Sequence, residues 1–411
     1  MTTNGKKWDA IVVGGGAAGM MAAGRAAERG KRVLLLEKNK TLGQKLKISG
    51  GGRCNITNAE FDEHIFLKNY GKAASFLYSP FSQFGVQETF DFFESRGLPL
   101  IIEDKKRAFP KTEKALDVCL TLERYVREGG CEIRMGSPIS RIIHTDTHVT
   151  GVIADGHEYS ADAVIIATGG ASHPETGSTG DGFEWLRELG HTVHAPTPTI
   201  VPMATLEELG HALAGVSIPL AKVTFFVDGK KQCSKKGPLL FTHFGISGPV
   251  VLNSSGAVGG LLSEGTVTVI IDVTPDKDER VLDEAMVALF DANKNKELKS
   301  VFSGIAPLQL LSQMPGLSGD SKVHSVTKEH RKMIIRTLKS LTFTISGLMG
   351  LDRAVVVDGG VELSEIQNKT MRSIRYNNLY VVGDLLHINR PSGGYSLQLC
   401  WTSGYVAGSS V

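Results

Sequence analysis

Several common features are absent from this sequence, and each absence narrows the possible functions. The five cysteines are far apart in the chain and form no C-x-x-C pair. Their spacing argues against a structural zinc site, an iron–sulfur cluster and a dithiol redox pair, and an odd number of unpaired thiols is typical of a reducing cytoplasm. We therefore expect no metal site, and any electron transfer requires a bound organic cofactor.

The chain also lacks a charge bias and long apolar segments. Its 45 Lys and Arg residues nearly balance 43 Asp and Glu residues, and basic residues cluster only in short runs such as 105–107. A nucleic-acid-binding stripe requires a larger basic cluster. No apolar run approaches the ~18 residues of a membrane-spanning helix, and the first seven residues are polar. We expect a cytoplasmic protein that binds neither nucleic acid nor membrane; its oligomeric state stays open.

The most informative feature that is present lies near the start of the chain. An apolar strand over residues 9–13 runs into a glycine turn and a helix of small residues. The glycines of its G-x-G-x-x-G pattern are Gly14, Gly16 and Gly19. A second apolar strand, residues 31–36, ends at Glu37, near the ~20-residue offset of the acid that binds an adenosine ribose. This is a dinucleotide-binding βαβ unit, and we expect a pyrophosphate at the helix N-terminus.

The later glycine clusters decide which dinucleotide binds. A disulfide-reductase type of enzyme would carry a second fingerprint, and residues 256–260, which come nearest, lack the flanking βαβ pattern. Instead, an apolar strand ends in Gly383 and Asp384, and a helix follows Gly394. In single-fingerprint FAD proteins such an acid accepts hydrogen bonds from ribityl hydroxyls, and the helix N-terminus stabilises a reduced flavin. The sequence therefore favours FAD over NAD as the bound dinucleotide.

Hydrophobic patterning divides the chain into an α/β domain and an insertion. From about residue 196 apolar and polar runs alternate as in strands, and a charged, periodic helical region follows. Apolar runs typical of the α/β domain recur from about residue 348. The predicted domains are a discontinuous, Rossmann-like FAD-binding domain of residues 1–195 plus 345–411, a β-rich inserted domain of residues 196–275 plus 318–344, and a helical subdomain of residues 276–317.

Five ordered blocks of sequence resemble a single family. They are residues 43–58, 107–110, 176–182, 241–249 and 383–408. Over almost the whole chain these blocks resemble the bacterial FAD flavoproteins typified by BaiN and YhiN, the NAD(FAD)-utilizing dehydrogenases of the glutathione-reductase superfamily. The resemblance implies that the insert is β-barrel-like and carries the helical subdomain. Residues 385–392 depart from the acid and glycine string expected there.

Three functions are open on this basis. The resemblance implies hydride transfer between flavin N5 and a small organic substrate held between the FAD domain and the insert, such as an enone-type double bond, with NAD(P)H as a transient donor. A second function is oxidation of amines or hydroxy acids with O2 or a quinone. A third is a flavin-bound binding protein or an RNA-modification accessory protein, which the near-neutral charge disfavours.

The glycine-rich loops and strand ends supply the predicted cofactor contacts. They are Gly14, Gly15, Gly16, Ala17, Ala18, Gly19, Glu37, Lys38, Lys45, Gly52, Arg53, Cys54, Asn55, Ala167, Thr168, Gly169, Gly383, Asp384, Gly394, Tyr395 and Ser396. Arg53 would stabilise charge and Asn55 would bond to the flavin ring; alternatively, their loop covers FAD through its backbone alone. Cys54 has no partner cysteine, so a small residue packed near the cofactor is preferred over a redox thiol.

Three residues are candidates for catalysis: His243, Tyr395 and Arg390. His243 falls in a Thr-His-x-Gly-x-Ser-Gly-Pro turn of the insert, and imidazole suits proton donation at neutral pH. The alternative is a turn histidine that caps backbone groups. Tyr395 and Arg390, together with His387, are expected near the far end of the flavin as acids or anion binders.

Overall fold

A computed structural model describes residues 7–207, 213–354 and 356–411, and the chain divides into two units. The first unit consists of residues up to Thr197 and from position 355 onward, and the second begins at Pro198 and ends at Ala354. The α/β fold class with a barrel, predicted from the sequence, is confirmed. The exact domain limits given above stay predictions.

Twenty strands are distributed over both units in the described residues. They are β1 (Trp8–Val13), β2 (Val33–Glu37), β3 (Thr57–Asn58), β4 (Leu100–Glu103), β5 (Arg107–Pro110), β6 (Glu132–Met135), β7 (Ile139–His144), β8 (Val149–Ala154), β9 (His157–Ile166), β10 (Val193–Thr199), β11 (Met203–Thr205), β12 (Ser217–Val227), β13 (Lys230–Thr242), β14 (Gly245–Ser247), β15 (Val267–Asp272), β16 (Leu341–Leu348), β17 (Val356–Val361), β18 (Ile366–Gln367), β19 (Arg372–Ser373) and β20 (Leu379–Val381).

The α-helices of the described residues range from one turn to more than four. They are α1 (Ala17–Glu28), α2 (Gln44–Ile48), α3 (Glu63–Leu67), α4 (Ala74–Phe81), α5 (Val86–Ser95), α6 (Ala115–Glu128), α7 (Asp181–Glu188), α8 (Pro249–Leu252), α9 (Ser255–Leu261), α10 (Glu279–Asp291), α11 (Leu298–Phe302), α12 (Lys328–Lys339) and α13 (Tyr395–Ser410). Within the described ranges, each helix is too short or too polar to cross a bilayer.

The first unit is built on a mainly parallel sheet whose strand order is β18-β19-β20-β9-β1-β2-β6. β1 pairs in parallel with β2 on one side and with β9 on the other, which makes β1 the point where the strand order reverses. Because β1 and β2 are covered on both faces, they read as continuous apolar runs rather than as alternating patterns. Ligands of such sheets bind at the carboxyl ends of the strands beside this switch point.

The last helix of the chain packs directly on the first one. A Cβ atom on Gly404 would overlap the carbonyl oxygen of Ala18, and a Cβ on Gly408 would overlap that of Ala22. The two glycines thus let α13 approach α1 to backbone contact, while the fully buried Trp401 donates from Nε1 to Ile56 O at 2.9 Å. The two ends of the chain therefore form one layer on the sheet.

The second unit contains a closed antiparallel barrel with the order β11-β14-β13-β12-β15-β16. Alternate residues of β12 point inward: Ala221, Val223, Phe225 and Val227 are buried. The buried faces of α10 and α12 join the same apolar core, for example through Leu282 and Ile334. The barrel-like insert that the family resemblance implied is thus a six-stranded closed barrel.

The contact between α1 and α13 can be tested with Gly404→Ala. The added methyl group must displace the Ala18 backbone, so we expect a loss of about 1–3 kcal/mol in the free energy of unfolding, as for an overpacked core, and a lower melting temperature. The control is Gly260→Ala on α9, where a Cβ meets no atom within 4 Å. The control should be neutral or slightly stabilising; equal melting temperatures for both variants would contradict the packing.

Candidate cofactor-binding site

The glycine turn between β1 and α1 uses its three glycines for different reasons. Gly14 has φ +103°, and a Cβ there would lie 2.6 Å from Ala167 O. A Cβ on Gly19 would overlap the carbonyl oxygen of Gly14. In contrast, a Cβ on Gly16 would meet no atom within 4 Å. Packing therefore requires Gly14 and Gly19, whereas the space at Gly16 is free for a ligand.

The N-terminus of α1 has the properties of an anion site. Gly16 is its N-cap and contributes no side chain, and the first turn contains no acidic residue. The first N–H groups of a helix have no partners within the helix, and the helix dipole places positive charge there. Together with the open space at Gly16, this N-terminus fits the diphosphate of FAD.

Glu37 braces the glycine turn from the end of β2. Its carboxylate is buried; Oε2 accepts a hydrogen bond from Gly15 N–H at 2.6 Å, and Oε1 accepts one from Asn39 N–H at 2.8 Å. Each carboxylate oxygen retains a second lone pair. Glu37 thus orders the turn and can still accept from a ribose, the role predicted for it.

The loop of residues 176–181 is tied to the residues that follow β2. Lys38 Nζ donates to Thr179 Oγ1 at 2.6 Å and pairs with Asp181 Oδ2 at 2.8 Å. Asn39 Nδ2 donates to Thr176 O at 3.0 Å. Lys38 was predicted as a cofactor contact, and in the structure its ammonium group holds this loop.

An ionic cluster lies just beyond the carboxyl end of β20. Arg390, whose side chain is only 1% exposed, pairs with Asp384 Oδ1, while Lys45 Nζ lies 3.3 Å from Asp384 Oδ2 and donates to Ser172 Oγ at 2.6 Å. Burial alone would raise the pKa of Asp384, but the charges of Arg390 and Lys45 outweigh it and hold that pKa below its ordinary value. Asp384 is therefore a carboxylate already shared by two cations.

Arg390 also connects this cluster to the start of α13. Its Nη1 donates to Ile388 O at 2.5 Å, and its Nε donates to Ser396 Oγ at 3.1 Å in the first turn of the helix. The N-cap of α13 is Gly394, with φ +102° and no capping side chain. A guanidinium group thus lies beside a second helix N-terminus, whose N-cap residue contributes no capping side chain, and this suits the anionic edge of a reduced flavin.

Arg53, in the loop of residues 49–58, forms ion pairs with carboxylates outside the loop. The Arg53 guanidinium lies over the Phe109 ring, 4.2 Å from the centroid, and pairs with Glu103 and Glu113. The hydrogen bond from Arg53 lowers the pKa of Glu103. The charge that was predicted to face the flavin is balanced by two carboxylates, and only its Nε has no partner among the described residues.

Asn55 joins this loop to the N-terminus of α13. With its amide turned so that each N–H faces a carbonyl oxygen, it donates to Thr57 O at 3.0 Å and to Ala108 O at 3.2 Å, and it accepts from Gly394 N–H at 3.0 Å. The side chain therefore positions Gly394. This contact favours the alternative in which the loop covers the cofactor through its backbone.

Cys54 is fully buried between these two residues, at φ +61°. Desolvation raises the pKa of its thiol to about 12. A thiol with such a pKa is protonated at neutral pH and is a poor nucleophile. The geometry thus supports a packed small residue at this position and not a redox centre.

Tyr395, the first residue of α13, belongs to an aromatic cluster. Its ring centroid lies 4.8 Å from that of Phe66 and 6.0 Å from that of Tyr70, and its carbonyl oxygen accepts from the Tyr70 hydroxyl at 2.8 Å. Burial raises the pKa of the Tyr395 phenol. The phenol is therefore protonated at neutral pH, and burial makes it a weaker acid than a phenol in water.

His243 lies in the other unit, in the turn between β13 and β14. It is exposed, and its ring lies 4.9 Å from the Phe244 ring centroid. The remaining predicted site residues belong to the first unit, while His243 belongs to the barrel. Its catalytic role stays a prediction.

One buried polar residue of the site was missed from the sequence. Gln398, in the first turn of α13, accepts from Thr57 Oγ1 at 2.7 Å and from Thr89 Oγ1 at 3.0 Å, and it donates to Gly85 O at 3.0 Å. It locks α13 to β3 and α5. The available signal was a lone amide in an otherwise apolar helix, which indicates a satisfied buried group.

The fold and the site define a class of protein, the FAD-dependent oxidoreductases with a Rossmann-type domain. The chain belongs to one family within it: the model described as HI0933-like protein Rossmann domain matches residues 8–410. The predicted family resemblance, the FAD cofactor and the assignment as an enzyme are thereby confirmed.

Relatives extend over nearly the full length of the chain. It is 30% identical to the 3-dehydro-bile acid delta(4,6)-reductase of Clostridium scindens, over 97% of this chain and 98% of that protein. It is 28% identical to the ribosomal RNA dihydrouridine synthase of Escherichia coli, over 99% and 98%. The structure of 3-ketosteroid-delta4-(5alpha)-dehydrogenase from Rhodococcus jostii shares the fold, with a TM-score of 0.55 at 15% identity, over 99% of this chain and 97% of that one.

Gly16→Val tests the cofactor position separately from the fold. Since the site of the added side chain is empty, we expect an unchanged melting temperature of the flavin-free protein but roughly tenfold or greater loss of FAD affinity, equivalent to about 1.4 kcal/mol. Flavin retained per chain, measured by absorbance, reports the effect. Gly347→Val, at an equally open strand position of the barrel, is the control. Full FAD retention by Gly16→Val would place the diphosphate elsewhere.

A double-mutant cycle tests the ion pair between Arg390 and Asp384. Arg390→Met leaves the Asp384 carboxylate buried with Lys45 alone and should cost about 3–5 kcal/mol of unfolding free energy, whereas adding Asp384→Asn should recover part of that loss. Exposed Arg127, paired with Glu123, is the control, and Arg127→Met should cost about 0.5 kcal/mol or less. Strictly additive losses would contradict the pairing.

The same ion pairs predict how the stability of the fold depends on pH. Because the pKa of Asp384 is lowered in the folded protein, the stabilisation that its carboxylate gives to the fold is complete above about pH 4 and is lost as the pH falls through the folded pKa.

Proposed function

We propose that this protein reduces a carbon–carbon double bond conjugated to a carbonyl group. The main support for this proposal is that two full-length relatives are named for the reduction of such a double bond. A delta-4 double bond beside a 3-oxo group is a conjugated enone, and formation of dihydrouridine saturates the C5–C6 bond that is conjugated to the uracil carbonyl. In both cases hydride adds to the β carbon and an acid protonates the α carbon.

The residues of the first unit suit such a reaction. The bound flavin supplies the hydride, and we propose NAD(P)H as its electron donor. The α1 N-terminus and the Gly16 space would hold the diphosphate, and Arg390 beside the α13 N-terminus would stabilise negative charge. Tyr395 of the first unit and His243 of the barrel are the proposed proton donors.

Among conjugated substrates we propose a small, apolar enone. The bile-acid reductase is one of the full-length relatives, and the near-neutral charge of the chain gives little attraction for polyanions. The unpaired cysteines suit a reducing compartment, so we propose that the protein acts in the cytoplasm.

The name of the full-length relative from Escherichia coli supports uridine in RNA as a second candidate substrate, and the barrel presents some positive charge. Lys222 on β12 lies directly opposite Lys236 on β13, and Lys235 is adjacent. Two carboxylates of the barrel partly offset this charge, because Asp272 on β15 lies opposite Lys222 on its other side and Asp276 lies 3.1 Å from Lys236.

Anaerobic stopped-flow absorbance distinguishes these functions. We expect an absorbance band of oxidised flavin at about 450 nm, as for flavins in general. NAD(P)H should bleach this band, and 4-androstene-3,17-dione should restore it. Ribosomal RNA is the parallel acceptor, with mass spectrometry scoring uridines that gain two hydrogens. Bleaching by amines or hydroxy acids, followed by rapid recovery with O2 and none with enones, would establish an oxidase instead.

Two variants identify the proton donor in the same experiment. Loss of a general acid slows the protonation step by about 10²–10⁴-fold, so Tyr395→Phe or His243→Gln should slow reoxidation by the enone while bleaching by NAD(P)H keeps its rate. Unchanged reoxidation in both variants would exclude these two side chains.

A further inference from the structure

Three segments of the first unit converge beside the ionic cluster. β10 carries His194, Glu362 follows β17 directly, and His387 lies three residues beyond Asp384. Backbone hydrogen bonds hold these segments in register: Glu362 N–H donates to Thr192 O at 2.9 Å, and His387 N–H donates to Val361 O at 3.0 Å. The convergence is therefore fixed by the main chain and not by the side chains alone.

The three side chains bring their ligand atoms to one point. His194 Nε2 lies 2.8 Å from Glu362 Oε2, the two imidazole centroids are 4.1 Å apart, and one nitrogen or oxygen from each residue lies within 4.8 Å of the other two. Ligand atoms around one tetrahedral zinc ion, at about 2.0–2.2 Å from it, are about 3.4 Å apart. Small side-chain rotations would therefore bring all three onto one ion.

A fourth residue, Asp358, contacts the imidazole of His387. Asp358 Oδ1 lies 3.5 Å from His387 Nε2, and its Oδ2 accepts from Asn389 Nδ2 at 3.1 Å. A carboxylate beside the second nitrogen of a ligating histidine fixes the tautomer and the orientation of the ring. The side chains of His194, Glu362 and His387 are 42%, 39% and 34% exposed, so an ion has access from solvent.

We propose that His194, Glu362 and His387 bind one divalent transition-metal ion, with Asp358 as the residue that orients His387. Two imidazoles and a carboxylate are ligands that zinc prefers, whereas magnesium and calcium prefer oxygen ligands alone. The three protein ligands leave a coordination position for water. The expectation of no metal rested on cysteine spacing, which excludes only thiolate sites.

The ion would stiffen the segment that presents Arg390. His387 and Arg390 flank the turn of residues 388–389, and Arg390 is tied to Asp384 and Ser396. Joining His387 to β10 and to the end of β17 would fix both ends of this turn. The site is thus a candidate for holding the α13 N-terminus in place, independently of which substrate is reduced.

Zinc binding by the flavin-loaded protein tests this site. Untagged protein is treated with EDTA, dialysed free of chelator and titrated with Zn²⁺ by calorimetry, and metal content is measured by mass spectrometry. We expect one equivalent of zinc per chain and a rise in melting temperature with zinc concentration. Absence of stoichiometric zinc in the parent protein would overturn the proposal.

The variants assign the ligands. His194→Ala, His387→Ala and Glu362→Gln should each weaken zinc binding and remove the zinc-dependent rise in melting temperature, and Asp358→Asn should weaken binding about 10–100-fold. His157→Ala, at an exposed position of β9 in the same unit, is the matched control and should bind zinc like the parent. Flavin content equal to that of the parent shows that each variant is folded. Unchanged zinc affinity in His194→Ala and His387→Ala would refute the site.

Discussion

Gly404 and Gly408 allow α13 to lie against the backbone of α1, and the geometry of the cofactor site follows from this contact. Because Gly404 faces Ala18 and Gly408 faces Ala22, the two helices run in the same direction. The contact begins one residue into α1 but nine residues into α13. α13 therefore extends about 12 Å beyond the start of α1, at 1.5 Å per residue, and its N-terminus lies further out along the same line.

Parallel neighbouring helices place their positive ends on the same side, which is unfavourable unless something negative lies there. Neither N-cap supplies a side chain: Gly16 begins α1 and Gly394 begins α13. The offset separates two helix N-termini that would suit two anionic groups of one extended ligand, and our proposal assigns the diphosphate of FAD to the first and its reducible ring to the second. With glycine at both caps, the electrostatic cost of two parallel helices would become affinity for an anionic cofactor.

The sequence predicted the parts of this arrangement that have a local signature. The apolar strand, the glycine turn and the acid at the end of β2 follow one another within 30 residues, so the βαβ unit was readable, and the absence of a second fingerprint correctly favoured FAD. The partners of Arg53 could not be predicted, since Glu103 and Glu113 lie 50 and 60 residues away and no periodicity links them. The same holds for His194 and Glu362, which are 168 residues apart. Such pairs exist only once the sheet and the loops have brought their segments together.

The charges around the start of α13 indicate what the first unit contributes to reactivity. Two cations, Arg390 and Lys45, share the single carboxylate of Asp384, which leaves the cluster with a net positive charge beside a helix N-terminus whose N-cap, Gly394, has no side chain. Since Arg390 is almost fully buried, solvent screens this charge weakly. A positive environment favours the anionic reduced form of a flavin over the neutral oxidised form, which eases acceptance of hydride from a donor. With the flavin bound beside it, the cluster would raise the affinity of the site for electrons, and in our proposal the choice of the double bond would depend on the residues that contact the substrate.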